Sequence, residues 1–407
     1  MRLFRRENLA DPLNILHAVG FDVLYPIVRG EIKFNQPLDA KKLEKAVVFV
    51  TQVVPELMAT YDIDKNEFQK LAAPAVSVIH YVQRIDDQAA AELDFETQPQ
   101  WQIYWSLSEN KLVVYGSHIL TDGAGFKQLL YLLAACYTKE QPVDIKNHTD
   151  IDGIKRLLKQ IKSTQLNNDH PRTPLSLPQL CNSVNQPRHY QVVHTELDLR
   201  QSHHLHYQCR RLGIHLNDAF MAAYGKAIQQ YCGVETISLA CPTDMRKFLP
   251  ADEEKQLRVQ NMTGRYNVQI EAPLSESIAD TAWHVHRAMN EQKERYAFLE
   301  SFRSMLANLA NGDSIAKLQQ DVQKHYHVRG ISYTNLAIID AEKLNFGDAV
   351  PVSCLISGGF REMPKYQIAV STFRKRINLV ANVIGTPQEI WLARAVMNQM
   401  KLFLLVI

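Results

Sequence analysis

A proline-rich interruption near the middle of the chain constrains the fold more than any other feature. Prolines cluster between Pro171 and Pro187, inside a polar stretch. Proline fixes φ and lacks a backbone donor, so this segment opposes regular structure. The 407 residues also exceed what one hydrophobic core usually organises. We therefore predict an N-terminal lobe at 1–170, a crossover at 171–187 and a C-terminal lobe at 188–407.

The first half mixes strand-like and helix-like patterns. Residues 21–35 are β-rich, and in 37–57 apolar residues recur at helical spacing, with Asp39 as the expected N-cap. The segments 101–108 and 111–118 predict a hairpin that turns at Glu109 and Asn110.

The second half likewise mixes strand-like and helix-like patterns. Residues 216–231 predict a helix capped by Asn217 or Asp218, and 366–373 with 377–384 predict another hairpin. Further strands are predicted at 190–199, 236–246, 330–339 and 351–357, and further helices at 277–299 and 389–404. Since no strict βαβ rhythm is present, we predict an α+β fold of two similar lobes, with mixed sheets flanked by helices.

Composition narrows the functional classes. The formal net charge is +2, and hydrophobic residues make up 46% of the chain, which is typical of a globular protein and supports neither nucleic acid nor a membrane as partner. No apolar run approaches the roughly 18 residues of a membrane span, and MRLFRREN does not begin a signal sequence. The six cysteines contain no CxxC pair and suit a reducing compartment. We expect a cytoplasmic protein.

The stretch GSHILTDGAG (116–125) joins a strand-like run to a helix-like run and carries the candidate chemistry. His118 titrates near neutral pH and could act as a general base, while Asp122 could hold the loop and Gly123 could let the backbone turn. Ser117 points to the opposite strand face from its neighbour, so a Ser–His dyad is not expected. The plainer alternative is a packed histidine beside an ordinary Asp-Gly turn.

The motif His118-Ile-Leu-Thr-Asp122-Gly123 has the form HxxxDG. It resembles the signature of the acyltransferase superfamily with the chloramphenicol-acetyltransferase-like fold, which includes condensation domains and alcohol acetyltransferases. Other segments resemble the family in the same order along the chain: residues 30–57, 216–228, PTDMR (242–246), NMTG (261–264) and SYTNLA (332–337).

The resemblance implies a reaction and roles for particular residues. His118 would deprotonate an acceptor in a channel between the lobes, and Gly123 would leave room for a thioester. Asp122 would pair with an arginine, for which Arg246 and Arg29 are the candidates. The candidates for stabilising the oxyanion are Ser332, Thr334 and Asn335.

The expected donor is acyl-coenzyme A as co-substrate, with no bound cofactor, and the expected acceptor is a small-molecule alcohol. Peptide-synthetase condensation domains usually carry two consecutive histidines, whereas this chain has Ser117 before His118. A condensation-type enzyme that uses an acyl carrier protein and an amine acceptor remains an alternative, as does a non-catalytic member of the fold. No metal is expected, because HExxH spacing is absent and His284 and His286 should diverge on one helix.

Overall fold

A computed structural model describes residues 12–21, 24–162, 170–180, 186–325 and 328–407. The strands are β1 (Ile27–Phe34), β2 (Ala59–Asp62), β3 (Glu67–Lys70), β4 (Ile79–Val82), β5 (Trp101–Ser106), β6 (Lys111–Ser117), β7 (His189–Leu197), β8 (Thr236–Asp244), β9 (Thr263–Glu271), β10 (Ile331–Ile339), β11 (Pro351–Ser357), β12 (Arg361–Glu362), β13 (Tyr366–Phe373) and β14 (Arg376–Gly385). The α-helices are α1 (Pro12–Ile15), α2 (Ala40–Val53), α3 (Gly123–Lys139), α4 (Asp152–Gln160), α5 (Leu199–Leu212), α6 (Leu216–Cys232), α7 (Ala251–Glu254), α8 (Ile278–Glu294), α9 (Glu300–Ala310), α10 (Ile315–His325) and α11 (Pro387–Leu405).

The first sheet has the strand order β11-β1-β6-β5-β4. Its β4–β5 pair is parallel, and the other pairs are antiparallel. Strand β11 comes from the second half of the chain, so that half completes the sheet of the first lobe. The sheet is mixed, as predicted.

Helix α3 packs on this sheet through Phe126, which is fully buried. Its ring fills a slot above two glycines on neighbouring strands. A Cβ on Gly30 would lie 2.7 Å from Phe126 Cε1, and one on Gly116 would lie 2.8 Å from Phe126 Cε2. Any larger residue would collide with the ring, so the glycines set how closely α3 approaches β6 and thereby where the loop between them lies.

The second sheet has the order β10-β13-β14-β12, with β7 also paired to β14. Strands β8 and β9 form a separate antiparallel ribbon. Helices α5, α6, α8 and α11 supply buried residues to the core beside them, among them Leu205, Tyr224, Val285 and Val396. The two largest hydrophobic cores of the described residues, each with a sheet and helices, give the predicted α+β architecture of two lobes.

The chain passes between the cores more than once. Ile154 and Leu158 of α4, a helix that the polar composition did not predict, lie in the second core. The lobe boundaries at 170 and 188 stay a prediction. Residues 181–185 of the proposed crossover, including Cys181, lie outside the described residues, as does the N-terminal MRLFRREN.

Local predictions are mostly confirmed. Both hairpins form, and Asp39 caps α2 by accepting from Lys42 N. The cap of α6 was predicted wrongly: it is His215, which has extended backbone, and not Asn217 or Asp218. Asp218 lies three residues later, where its carboxylate accepts from His215 N at 3.0 Å.

Within the described ranges, no helix combines the length and apolar character needed to cross a bilayer. The cysteines described there are unpaired thiols: Cys136, Cys209, Cys232, Cys241 and Cys354.

The slot under Phe126 predicts a coupled effect of two substitutions. Gly116→Ala should lower the free energy of unfolding by about 1–3 kcal/mol, because the new methyl group collides with the ring. Phe126→Leu should be destabilising in the parent chain but much less so in the Gly116→Ala background, where it relieves the collision. Urea denaturation of the four proteins tests this, and strictly additive effects would contradict it.

Candidate active site

The end of β6 and the start of α3 place His118 at the wall of a cavity. Its backbone N–H donates to Pro26 O at 2.7 Å. Asn261 Nδ2 donates to His118 O at 2.6 Å and lies 3.3 Å from the ring Nδ1. No described side chain hydrogen-bonds Nε2, and His118 lines the cavity. The ring is therefore contacted by an amide at Nδ1, while no described side chain bonds Nε2.

A second histidine, His17, lies against the first. The two rings are stacked, with centroids 4.4 Å apart and planes 10° from parallel. His17 follows α1 and comes from a segment far from the HxxxDG motif in sequence. This stack restricts the orientation of the His118 ring through one of its faces. It therefore adds a constraint that the hydrogen bonds alone do not give.

Asp122 is the N-cap of α3 and points away from the ring, into the protein. Its Oδ1 accepts from Gly125 N at 2.8 Å, and its Oδ2 accepts from Met262 N at 2.7 Å. Arg246 Nη1 donates to both oxygens, at 3.1 and 2.9 Å. Both side chains are about 3% exposed. The carboxylate thus ties the motif loop to two segments of the second half of the chain.

Arg246 distributes its remaining donors over the same region. Its Nη1 also donates to Asp244 Oδ1 at 2.9 Å, and its Nη2 donates to the carbonyls of Arg258 and Gln260 at 2.9 and 2.6 Å. These bonds fix the irregular segment that leads to Asn261. The arginine therefore supports both the motif loop and the amide that contacts His118.

The other arginine candidate was wrong. Arg29 is fully buried on β1, but its guanidinium donates to Asp87 at 2.9 Å and to Glu31 at 2.8 Å. Because β1 presents this side chain towards those two carboxylates, it does not contact Asp122.

Gly123 lies where a β10 side chain approaches α3, since a Cβ there would lie 2.2 Å from Leu336 Cδ2. Gly123 also lines the cavity, and its role in leaving room for a thioester stays a prediction. Lys127 of α3 donates to the carbonyls of Leu336 and Ile338 at 2.6 and 3.3 Å. The two lobes make direct contact here.

The cavity that His118 lines has a volume of about 500 Å³. Both lobes form its walls, which include Pro26, Val28, Gly123, Pro242, Thr263, Arg265, Ser332, Thr334 and Ile356. Met305, Leu318 and Val322 of α9 and α10 close one side with apolar groups. The space is large enough for a small organic substrate and lies between the lobes.

The three oxyanion candidates are not equivalent. Ser332 and Thr334 lie on one face of β10 and line the cavity. Ser332 Oγ donates to Arg329 O at 3.2 Å. Asn335 is not part of the lining, and its Nδ2 donates to Asn217 Oδ1 at 3.1 Å. Two of the candidates are therefore placed to meet a ligand, and the third supports the wall.

The electrostatics favour a neutral His118 and a charged Asp122. Burial lowers the pKa of His118, although ring contacts with its own backbone and with Thr121, and the charge of Asp122, oppose this. Burial and the neighbouring His118 hold the pKa of His17 well below its ordinary value. Burial opposes ionisation of Asp122, but Arg246 and the two backbone N–H groups hold its pKa below the usual range.

Two residues of the site were missed at the level of sequence. Asn261 lies in the NMTG segment, whose resemblance to the family does not indicate which of its side chains reaches the site. His17 had no local signal, because a single histidine in an apolar N-terminal segment resembles a packed one. Both reach His118 through contacts between residues more than 100 positions apart.

The Asp122–Arg246 pair predicts strong coupling in stability. Arg246→Met should lower the free energy of unfolding by about 3–5 kcal/mol, because it leaves a buried carboxylate without its counter-charge. Adding Asp122→Asn to that variant should restore part of the loss. Chemical denaturation measures both, with Arg374→Met at a hairpin tip as control. A double variant as unstable as the sum of the single ones would contradict the pairing.

The lowered pKa values of His17 and His118 predict a loss of stability in mild acid. The unfolded chain takes up protons at about pH 6.5 while the native rings resist them. Stability is therefore full above that pH and falls as the pH drops towards the native pKa values. Between about pH 5 and 7, the free energy of unfolding measured by chemical denaturation should fall less steeply with decreasing pH in the double variant His17→Gln/His118→Gln than in the parent. Equal slopes would show that these rings do not carry the effect.

Comparisons with known proteins agree on the fold. No protein-family model and no curated protein matches the chain. Among solved structures, the first condensation domain of the calcium-dependent antibiotic synthetase superposes with a TM-score of 0.67 at 15% identity, covering 99% of this chain and 96% of that one. The trichothecene 15-O-acetyltransferase from Fusarium sporotrichioides gives 0.66 at 13% identity, covering 97% and 94%. Polyketide synthase associated protein 5 from Mycobacterium tuberculosis gives 0.60 at 14% identity, covering 97% and 96%. The chain therefore has the predicted chloramphenicol-acetyltransferase-like fold, which it shares with these solved structures.

Proposed function

We propose that the protein is an acyltransferase that moves an acyl group, most simply acetyl, from a coenzyme A thioester to an alcohol hydroxyl. The observation that carries the proposal is the placement of His118. Its Nε2 has no side-chain partner among the described residues, its Nδ1 side contacts Asn261, and the ring lines a cavity walled by both lobes. A neutral imidazole so held is suited to general-base catalysis.

The proposed step begins when the acceptor hydroxyl gives its proton to Nε2 of His118. The oxygen forms a bond to the thioester carbonyl carbon, and negative charge develops on the carbonyl oxygen. The carbon–sulfur bond then breaks, and the thiolate takes the proton back from the imidazolium. The products are an ester and a free thiol, with no other reactant needed.

Thr334 is the hydroxyl group that we propose to stabilise the oxyanion, since it lines the cavity and a hydroxyl can donate a hydrogen bond. Ser332 also lines the cavity, but its hydroxyl donates to Arg329 O at 3.2 Å and would have to turn from that carbonyl to take the same role. Asp122 and Arg246 act by position: they hold the loop and the Asn261 segment without contacting the substrate. The apolar side formed by Met305, Leu318 and Val322 is suited to the hydrocarbon part of the acyl group or of the acceptor.

Several fold neighbours are condensation domains, so an acyl carrier protein as donor and an amine as acceptor form the second candidate. Ser117 favours the first candidate, because it stands just before His118, where those domains usually carry the first of two consecutive histidines. It is buried and its Oγ accepts from Ile119 N at 3.3 Å, which is a structural contact. The unpaired thiols of the described residues are consistent with the cytoplasmic location that we propose.

The proposal predicts release of free thiol that depends on His118. The full chain, incubated with a panel of acyl-coenzyme A thioesters and small alcohols, should release thiol and form ester. His118→Ala should lower the rate by about 10²–10⁴-fold, the usual scale for loss of a general base. His203→Ala, which changes an exposed histidine, should leave the rate unchanged.

Each part of the proposed function has its own contradicting outcome. Transfer at the parent rate by His118→Ala would disprove the role of the histidine. Transfer from a loaded carrier protein to an amine, with none from coenzyme A, would select the condensation-type function. No transfer from either donor, with the protein folded, would favour a non-catalytic member of the fold.

A further inference from the structure

We propose that His215, Asp218 and His286 form a binding site for one divalent transition-metal cation, with Zn²⁺ as the cation that fits best. Each of the three offers one ligand atom, and these atoms lie within 4.8 Å of one another. His215 Nδ1 lies 3.3 Å from Asp218 Oδ2, and His286 Nδ1 lies 2.7 Å from the same oxygen. The site is separate from His118 and independent of the proposed function.

The distances suit a tetrahedral metal. With metal–ligand bonds of about 2.0–2.1 Å, two ligands on one tetrahedral Zn²⁺ lie about 3.3 Å apart. The separation between His215 and Asp218 already has this value. The shorter contact of His286, 2.7 Å, is a hydrogen bond, and replacing its proton by a metal requires an opening of about 0.6 Å to reach that separation.

The carboxylate supplies the second reason for the proposal. Asp218 is fully buried, and its Oδ1 has no hydrogen-bond partner in the described structure. Its Oδ2 accepts from the backbone N–H of His215 at 3.0 Å. A buried carboxylate oxygen without a partner costs free energy, and a bound cation would remove that cost.

Two of the three ligands lie on helices and the third caps one, and the site is open to solvent. Asp218 lies in the first turn of α6, His286 lies on α8, and His215 is the N-cap of α6. The side chain of His215 is 62% exposed, so a metal could reach the site from solvent and keep a water as its fourth ligand. His284 on the same helix pairs instead with Glu276, at 3.3 Å, so the two histidines diverge as the sequence predicts.

A further contact orients His286. Asn290 Nδ2 lies 2.9 Å from His286 Nε2. Without metal, Nδ1–H donates to Asp218 and Nε2 accepts from the amide. With metal on Nδ1, the proton moves to Nε2 and the Asn290 amide turns over to present its oxygen. Metal-bound histidines commonly have such a partner on the second nitrogen.

The ligand set selects among metals. Two imidazoles and one carboxylate suit Zn²⁺, and also Co²⁺, Ni²⁺ or Cu²⁺, whereas Ca²⁺ and Mg²⁺ prefer oxygen ligands alone.

The site also touches the cavity wall. Asn217, next to Asp218, accepts from Tyr333 OH at 3.0 Å and from Asn335 Nδ2 at 3.1 Å. Tyr333 lines the cavity. A cation that fixes the start of α6 would therefore also stiffen β10 where it forms that wall.

The test uses the full chain without an affinity tag, stripped with a chelator and titrated with ZnCl₂ against a chromophoric chelator. We expect one equivalent bound per chain. His215→Ala and His286→Gln should each weaken binding by more than about 100-fold, because each removes a direct ligand. His284→Ala is the matched control on the same helix and should bind as the parent does. Circular dichroism confirms that each variant is folded.

A second readout is thermal stability, which Zn²⁺ should raise in the parent and in His284→Ala but not in His215→Ala. Absence of a bound equivalent in the parent would overturn the proposal. Equal affinity in His215→Ala, His286→Gln and the parent would also overturn it, because the metal would then lie at other histidines such as the exposed His203 and His204.

Discussion

The buried ion pair of Asp122 and Arg246 is the interaction on which the rest of the candidate site depends. Removing two charges from water is costly, and the pair is stable only because each group has further hydrogen bonds. Asp122 accepts two backbone N–H groups, and Arg246 donates to Asp244 and to two carbonyls as well. The pair therefore does more than neutralise charge. It fixes the corner after β6, the turn after β8 and the irregular segment before β9 relative to one another, and these three segments belong to both halves of the chain.

This arrangement explains why a residue that does not face the cavity matters to one that does. The carbonyls that Arg246 holds belong to the segment that carries Asn261, and Asn261 in turn contacts the backbone and ring of His118. On the other side of the motif, Leu336 fills the space beside Gly123 and Lys127 bonds the same strand. The histidine is thus positioned by contacts from the second lobe on two sides. Its orientation is a property of the interface between the lobes and not of the motif alone.

The sequence predicted what depends on neighbours in the chain. The hairpin at Glu109 and Asn110, the cap at Asp39 and the strand-to-helix corner with its histidine follow from local rules of turns, caps and periodicity. It did not predict contacts made over long separations. Arg246 and Arg29 are both arginines near strands, and only the packing decides which one meets Asp122. The slot under Phe126, the entry of β11 into the first sheet and the stack of His17 on His118 likewise require three-dimensional approach. The error at α6 differs, since Asn217 and Asp218 are good cap residues, but Asp218 acts from inside the first turn by accepting from His215 N, so the helix starts two or three residues earlier.

The His17–His118 stack constrains how a proton can be handled in the proposed reaction. Two positive charges about 4 Å apart repel by about 4 kcal/mol at an effective dielectric constant near 20, and the centroids here are 4.4 Å apart. Both rings therefore cannot be protonated together at neutral pH. With His17 neutral, His118 can accept the proton of an acceptor, but the imidazolium that forms is destabilised by burial. The negative charge of Asp122 partly offsets this by raising the pKa of His118, although the two side chains are not bonded to each other. A proton held in such a place is released readily to a nearby thiolate. The same surroundings that keep the base neutral thus favour return of the proton to the leaving group, which links the two halves of the transfer.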